Sequence, residues 1–409
     1  MNEFTPQYVN EFKCLGSDCS DTCCQGWMIN IDKDTHEKYQ KVEIDEVDNI
    51  GDYLIKKNTP SSRHFSSIKM KKNGFCPFLG KDKLCGLQKK YGEDYLSDTC
   101  NRFPRREINF ISKKFTTLKM ACPEAARLCL SSKDSMNISF NKVKFNGVFK
   151  LVSNEYQTPM NRAGELILNK AYELLRNNEI SFINSIIIIE KLLDQQYNIS
   201  MNLKKFDEIY KFFLDTFSKA DIVTFDNSNL KISFLIDIFN FLKEMKNFLE
   251  ENNFKNEKFI KMIDVTYNEL VNNFDKIEDA IFNFSKINSE YVVPFEKENE
   301  YIFRNFFLNE ILGYSNIFTA PLASSRNKLY STIFTASLCK LILVAKCSKE
   351  KRALTLYDFI EVVNKVDKSS GIFFQFDKDM ELIFNPKVLD SLSKIDPQST
   401  FNSTLFLFA

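Results

Sequence analysis

The sequence predicts a mainly α protein in which a small, cysteine-rich α+β N-terminal domain precedes a larger all-helical region. Three observations carry that expectation. Nine of the 11 cysteines fall in the first third of the 409 residues: Cys14, Cys19, Cys23, Cys24, Cys76, Cys85, Cys100, Cys122 and Cys129. From about residue 148 onward, apolar residues recur every three or four positions, the period of helices packed on one face. Glycine is scarce, at 11, which argues against a loop-rich all-β chain and against glycine-built phosphate cradles. The length suits two or three domains with a sizeable core. Hydrophobic residues at 44% and charged residues at 27% are ordinary for a folded protein.

Residues 1–130 read as short segments alternating with turns. WMINI (Trp27–Ile31) has strand character, and Asp32 is placed to cap a short helix running through Lys41. Glu107–Ile111 and Phe115–Leu118 flank Ser-Lys-Lys as a hairpin. Cys122-Pro123 puts proline in the first turn of a helix that continues through Leu130. Residues 131–147 are polar and aperiodic and read as a linker. Residues 148–409 form the helical domain, with helices expected over Ala163–Asn177, Asn184–Gln196, Lys204–Lys219, Leu230–Asn252 and Asn327–Lys346. One short hairpin is expected near the end, Ile372–Phe376 with Glu381–Phe384 around Asp377-Lys378-Asp379.

The start MNEFTPQYVN lacks the basic head and apolar core of a secretory signal. The longest apolar runs, Ser185–Glu190 and Thr335–Ala345, are short, and the second is broken by Lys340, so no membrane span is expected. These features predict a cytoplasmic protein, and in a reducing compartment clustered cysteines serve as metal ligands more often than as disulfides. The net charge of +1 gives no sign of a polyanionic partner, and no basic motif interleaved with aromatics supports nucleic-acid binding.

The cysteine spacing is C-x4-C-x3-C-C, followed by Cys76 in GFCPFLG, Cys85 in KLCGLQ, Cys100 in DTCNRFPRR and Cys122 in ACPEAARL. Four thiolates complete a tetrahedral zinc site or hold an iron–sulfur cluster, so eight candidates exceed the need of one zinc ion. They imply a cluster with supporting thiols, or two sites. Adjacent side chains such as Cys23 and Cys24 rarely ligate one small ion together, and a disulfide between them would be strained. Cys339 and Cys347 sit in an apolar helical pattern and read as buried, inert thiols. From Lys69 to Arg127 there are 14 Lys and Arg against 6 Asp and Glu, a local +8 that leaves −7 for the rest. Such an excess is expected to stabilise an anionic metal–thiolate centre and to lower thiol pKa values, with Cys122 helped further by its helix N-terminus.

A radical S-adenosylmethionine enzyme would need C-x3-C-x2-C. Cys19 and Cys23 supply the first half, but Gly26 stands at the third position, and the alternating βα pattern of that barrel is missing. His36 and His64 lie in polar surroundings and read as surface residues. No dinucleotide-binding glycine motif, P-loop or nucleophile elbow is present.

Four blocks, KCLGSDCSDTCCQGW, CPFL, LCGLQKKYGEDYLSDTCNRFPR and ACPEAARL, closely resemble the flagellin lysine-N-methylase (FliB) family over roughly residues 10–130. The first three are also similar to the wider CxxCxxCC zinc- or iron-chelating proteins. The resemblance implies a cytoplasmic protein-lysine N-methyltransferase. It would transfer methyl groups from S-adenosylmethionine to the ε-amines of flagellin lysines, and its cysteines would hold an iron–sulfur cluster, [4Fe–4S], with zinc as the alternative. Cys19, Cys23, Cys24, Cys76, Cys85 and Cys100 match the shared chelating pattern, while Cys14 and Cys122 match the methylase-like blocks. Cys129 stands where any helix residue would serve. Trp27, Tyr91, Arg102 and Arg105 flank these cysteines and read equally as pocket, core or charge-balancing residues. The competing expectations are a non-enzymatic metal-chelating interaction module and a cluster-based redox sensor. The acidic balance of the helical region is complementary to basic, lysine-bearing patches on a flagellin partner.

Overall fold

The cysteine-rich segment is built on two small sheets, one of which uses residues that carry no strand pattern in the sequence. Asn2–Pro6 forms β1, Asn30–Ile31 β2, Leu54–Lys56 β3, Ser66–Ile68 β4, Arg105–Phe110 β5, Lys113–Leu118 β6 and Ile138–Lys142 β7. The first sheet has the order β5-β6-β1-β7, and β1 runs parallel to β6 and antiparallel to β7. Phe4 is paired in register with Phe115 on one side and Phe140 on the other. The second sheet, β2-β4-β3, is antiparallel. The computed structural model describes residues 2–62, 64–110, 113–142, 158–218, 228–251, 256–314, 322–369, 374–376 and 382–384.

Most sequence expectations are met where they fall on described residues. β5 and β6 form the expected hairpin, with Glu107 opposite Thr116 and Ile108 opposite Phe115. Asp32 caps the helix Lys33–Tyr39 by accepting from Thr35 N at 2.8 Å, and Cys122 stands at the N-cap of the helix Pro123–Leu130. The helices Pro159–Arg176, Phe182–Asp194, Phe206–Phe217, Ser228–Glu251 and Leu322–Glu350 lie on the five periodic stretches. Phe374–Phe376 (β8) pairs with Leu382–Phe384 (β9), and the turn between them lies outside the described residues. Two expectations change. WMINI contributes only its last two residues to a strand. Within the stretch read as linker, Ile138–Lys142 is strand β7, recruited by the backbone of β1; residues 143–147 lie outside the described residues.

Two hydrophobic clusters organise the chain. The smaller is confined to the cysteine-rich segment and centres on Ile29, Ile31, Tyr39, Ile68, Cys76, Phe78 and Leu87, with Cys24, Cys85 and Cys100 packed against it. The larger joins the first sheet to the helices: Tyr8, Phe115, Leu118, Cys122 and Ala125 share it with Ile167, Ile189, Phe307 and Val363. The abundant phenylalanine is spent here. Phe303 meets Phe359 edge-on at 4.9 Å, and Phe182 meets Phe307 at the same distance. Each fully buried ring contributes about 1.5–3 kcal/mol relative to an exposed one. The helix Tyr301–Gly313 is buried from Ile302 through Gly313 and forms the centre of this core. Lys328–Glu350 is long and apolar enough to cross a membrane, but 83% of that apolar window is buried inside the protein, as in a central core helix. Lys340, which interrupts the run, is 2% exposed and pairs with Glu296 at 2.7 Å.

Candidate metal centre

Local backbone structure gathers the cysteines from five separate stretches. Gly16 (φ +55°) turns the chain into the short 3-10 turn Gly16–Asp18 that precedes Cys19. Cys76 N donates to Cys24 O at 2.7 Å and Gly26 N to Gly74 O at 3.1 Å, which welds the Cys23–Gly26 stretch to the strand-like run before Pro77. Gly26 (φ +84°) and Gly74 (φ +79°) supply the left-handed conformations this crossing requires. A tight loop then returns the chain: Gly80 N donates to Leu84 O and Gly86 N to Phe78 O, both at 2.8 Å, so Cys85 stands beside Leu79. Cys85 begins the helix Gly86–Tyr91, and Ser97 caps the helix Asp98–Arg102 by accepting from Cys100 N at 3.3 Å.

All eight cysteines singled out by the sequence belong to one electrostatically linked group. Cys19 is repelled by charge on Cys14 and Cys23, and Cys24 by charge on Cys23, Cys76 and Cys85. Cys76 feels Cys85 and Cys100; Cys85 and Cys100 feel Cys23; Cys122 feels Cys19 and Cys23. Cys23 is therefore the hub. Cys129, Cys339 and Cys347 are buried away from this group, as ordinary helix residues. Among the described residues, no three His, Cys, Asp or Glu side chains are spaced to hold a single metal ion as they stand.

Burial, not local basic charge, sets the state of these thiols. It pushes Cys76 and Cys122 up to about 12 and Cys100 up to about 11, with neighbouring cysteines adding to the rise. The backbone N–H groups of Glu124 and Ala125 favour the Cys122 thiolate, as expected at a helix N-terminus, but burial outweighs them. Cys23 is displaced downward, chiefly because Cys24 donates a hydrogen bond to it; burial opposes the shift and Lys368 assists it. Cys24, the donor, is displaced upward.

The expectation that the basic run from Lys69 to Arg127 lowers the thiol pKa values is thus corrected. Lys71 favours the Cys76 thiolate, but burial outweighs it, and six other cations of the run are paired with carboxylates. Lys89 pairs with Asp82, Arg102 with Asp98 and Glu107, Arg106 with Glu310, Lys113 with Glu165, Lys114 with Glu3 and Glu107, and Arg127 with Glu124. The cations that pair with Asp21, between Cys19 and Cys23, come from the helical region. Lys365 and Lys368 lie 2.9 Å and 3.0 Å from Asp21 Oδ2, and Lys258 lies 3.5 Å from Asp21 Oδ1. Sequence reasoning missed Asp21, Lys365 and Lys368 because more than 340 residues separate the partners.

His36 also differs from expectation. It is 4% exposed, its Nδ1 lies 2.8 Å from Ser66 Oγ, and its ring meets Phe65 edge-on. His64 is exposed as expected. Of the flanking residues, Trp27 donates to Cys23 O at 2.6 Å and packs on Phe103, Tyr91 bonds the Glu43 backbone, and Arg105 lies over the Phe12 ring. All act as packing or anchoring groups. The centre is rich in thiols, with the carboxylates of Asp21 and Glu46 close enough to act on Cys19, Cys23 and Cys85 and no histidine among these influences. Soft thiolates with no imidazole fit an iron–sulfur cluster or a zinc–thiolate site, and a metal is what would offset the cost of ionising such buried thiols.

Residues 167–395 match the family described as the FliB lysine N-methylase C-terminal domain, more than half of the chain. The chain belongs to the FliB family. Its cysteine centre precedes the matched region, whereas Lys258, Lys365 and Lys368 lie inside it. The flagellar biosynthetic protein FliU of Salmonella muenchen is 38% identical over 151 residues, 35% of this chain and 86% of that protein. Lysine-N-methylase of Salmonella typhimurium is 38% identical over 146 residues, 34% of this chain, and the match spans only 36% of that protein's length. The corresponding lysine-N-methylase of Salmonella choleraesuis matches to the same extent. No solved structure matches the chain.

Proposed function

We propose that this chain is a protein-lysine N-methyltransferase that transfers methyl groups from S-adenosylmethionine to lysine ε-amines of flagellin, with an iron–sulfur cluster, [4Fe–4S], at the cysteine centre. The observation that carries the reading is the match of residues 167–395 to the FliB lysine N-methylase domain. The name of the two Salmonella lysine-N-methylases supports transfer to lysine, and that of the flagellar biosynthetic protein FliU supports a flagellar acceptor. The gathering of eight thiols without an imidazole supports a cluster. Cys76, Cys85 and Cys100 each interact with the Cys23–Cys24 pair or with one another, so these five contain the proposed ligand set, with Cys14, Cys19 and Cys122 around it.

The chemistry is a displacement in line. The lysine nitrogen attacks the methyl carbon, the carbon–sulfur bond breaks, and S-adenosylhomocysteine leaves as a neutral thioether. A lysine with an ordinary pKa of about 10.4 must first surrender its proton, to water or a carboxylate, and desolvation on docking favours that loss. The protein's task is to align nitrogen, carbon and sulfur and to exclude water. The sequence has no glycine-rich loop of the kind that binds the donor in a doubly wound fold, so the donor site is of another type. The cluster would supply bracing, holding five stretches of chain together.

Two measurements test the reading. The full chain, purified anaerobically, is incubated with flagellin and S-adenosylmethionine labelled in its methyl group; label on flagellin lysines is expected, and its absence overturns the methylase assignment. Iron and acid-labile sulfide are assayed on the same preparation. Zinc in their place overturns the cluster while leaving the transferase reading intact.

A further inference from the structure

Where the first sheet meets the helical region, a buried polar group has more donors than its own acceptors use. Arg106 comes from β5 and Thr117 from β6; Glu310 and Gly313 lie on the helix Tyr301–Gly313, Tyr314 follows it, and Lys328 comes from the helix Leu322–Glu350. The Arg106 side chain is 9% exposed, and Thr117 is fully buried. Glu310 takes the end of the guanidinium, with Nη2 donating to Oε1 at 2.7 Å and Nη1 to Oε2 at 3.4 Å. Lys328 donates to the same carboxylate at 2.9 Å, and both cations rest on the Tyr314 ring.

Arg106 Nε and Thr117 Oγ1 are buried without a hydrogen-bond partner among the described residues. A methyl group on Gly313 would lie 2.6 Å from Thr117 Oγ1, 2.7 Å from Arg106 Cζ and 2.8 Å from its Nη2. The hydroxyl and the Nε–Nη2 edge of the guanidinium therefore border one spot, which glycine keeps clear of side chain. Asp367 also lies in the field of Arg106, but its Oδ2 accepts from Ala121 N, and burial together with Glu310 pushes its carboxyl toward the neutral form. Arg304 is a different case. Its Nε is unpartnered too, yet its other nitrogens are taken by the carbonyls of Leu174, Leu175 and Ile180 and by Glu300, which makes it a strut between helices.

A free guanidinium edge beside a hydroxyl, with a second cation close by, fits an anion that offers two oxygens. A carboxylate meets that need, and a seam between two parts of a chain is where small-molecule sites commonly form. Glu310, Gly313, Tyr314 and Lys328 lie inside the matched family domain, and Arg106 and Thr117 lie outside it. We infer that Arg106 and Thr117, backed by Lys328, bind the carboxylate of a small molecule, and that this carboxylate is the amino-acid end of the methyl donor. The inference rests on the methyltransferase reading above, whose reaction supplies a ligand of this chemistry.

The test measures binding to the anaerobically purified full chain by isothermal titration calorimetry. One probe is S-adenosylhomocysteine, the unreactive product that keeps the carboxylate. The other is methylthioadenosine, which has the same nucleoside and thioether sulfur but no amino-acid end. Wild type should bind the first roughly tenfold or more tighter, since one charge-assisted hydrogen bond is a step of about that size. Thr117→Val and Arg106→Lys should each erase most of that preference and leave the affinity for methylthioadenosine unchanged. Thr117→Val should also melt no lower than wild type, because the hydroxyl it removes has no partner in the ligand-free protein. A threonine with a structural role alone would lose stability and keep the preference, and a kept preference overturns the inference. Should Arg106→Lys not fold, Thr117→Val carries the test. Sodium acetate serves as a free carboxylate: if it raises the wild-type melting temperature and not that of Thr117→Val, while both nucleosides bind wild type alike, the donor assignment is overturned in favour of a free anion. Equal binding of the two nucleosides without an acetate effect overturns the carboxylate site. Wild type that binds neither nucleoside overturns the methyl-donor reading itself, an outcome distinct from both.

Discussion

Replacing Glu310 by Gln should destabilise the protein more than any single cation it serves. Glu310 lies on the helix Tyr301–Gly313 with a side chain 6% exposed; Arg106 reaches it from β5 at 2.7 Å and Lys328 from the following helix at 2.9 Å. Both cations also sit over the Tyr314 ring, at 4.9 Å and 3.8 Å. Burial opposes the charge on Glu310, but Arg106 and Lys328 outweigh it and hold its carboxyl far below the usual range. The amide removes the one carboxylate that both buried cations contact, a loss of about 3–5 kcal/mol out of a total of roughly 5–15 kcal/mol. With a slope of about 3 kcal/mol/M, the urea midpoint should fall by roughly 1–1.7 M. Lys328→Met keeps Arg106 and Glu310 paired and forfeits one charged hydrogen bond, about 1.5–3 kcal/mol. Because the folded-state pKa of Glu310 is depressed, its contribution is complete above the unfolded value of about 4.3 and is withdrawn only as pH falls toward the folded value. The Glu310→Gln deficit should therefore be the same at about pH 6 and about pH 8. A Glu310→Gln protein as stable as Lys328→Met would refute the reasoning.

Three further outcomes are expected. Gly313→Ala should cost about 1–3 kcal/mol in thermal unfolding, because its methyl group would lie 2.6 Å from Thr117 Oγ1 and 2.7 Å from Arg106 Cζ, which Glu310 holds in place; an unchanged melting temperature would contradict the close approach. Cys76→Ser should abolish iron content and soluble folding, whereas Cys339→Ala, 1% exposed in the helical core, should leave iron content untouched; an active, iron-free Cys76→Ser protein would sink the bracing role. Tyr8→Phe strands the Leu118 N–H, which donates to the phenol oxygen at 2.8 Å, and Asn309 Oδ1, which accepts from it; about 1–3 kcal/mol should be lost in urea unfolding.

The helical region was legible because its signal is local. Period and caps read from Ala163–Asn177 or Asn184–Gln196 come within a few residues of Pro159–Arg176 and Phe182–Asp194. The hairpin of β5 and β6 and the Asp32 cap were legible for the same reason. Strand β1 was not: Asn2–Pro6 becomes a strand because β6, more than a hundred residues later, offers it a parallel partner. His36 looks like a surface residue in KDTHEKY, yet Ser66, at the start of β4, and Phe65, just before it, close over it. The cysteine group was legible as a composition anomaly, but its hub and its charge partners were not. Hydrogen bonds from Cys76 N to Cys24 O and from Lys365 to Asp21 leave no mark on local pattern.

Charge ties the cysteine-rich segment to the helical region. The run from Lys69 to Arg127 carries +8 and the rest of the chain −7. The surplus is drawn to carboxylates on distant elements, Glu3, Glu165 and Glu310. The traffic also runs the other way, since the acidic Asp21 in the cysteine loop takes Lys258, Lys365 and Lys368 from the helices. Exchange in both directions, laid over the shared core of Tyr8, Leu118, Cys122, Phe307 and Val363, makes docking of the cysteine segment part of folding. A fragment beginning at residue 131 would leave Glu310 with Lys328 alone and expose the apolar surface that Leu118 and Ala125 cover. Expressed by itself, it should aggregate or bind a hydrophobic dye, and supplying residues 1–130 in trans should restore solubility. A soluble, cooperatively folding fragment that needs no such partner would show that the exchange of charges accompanies the fold without holding it together.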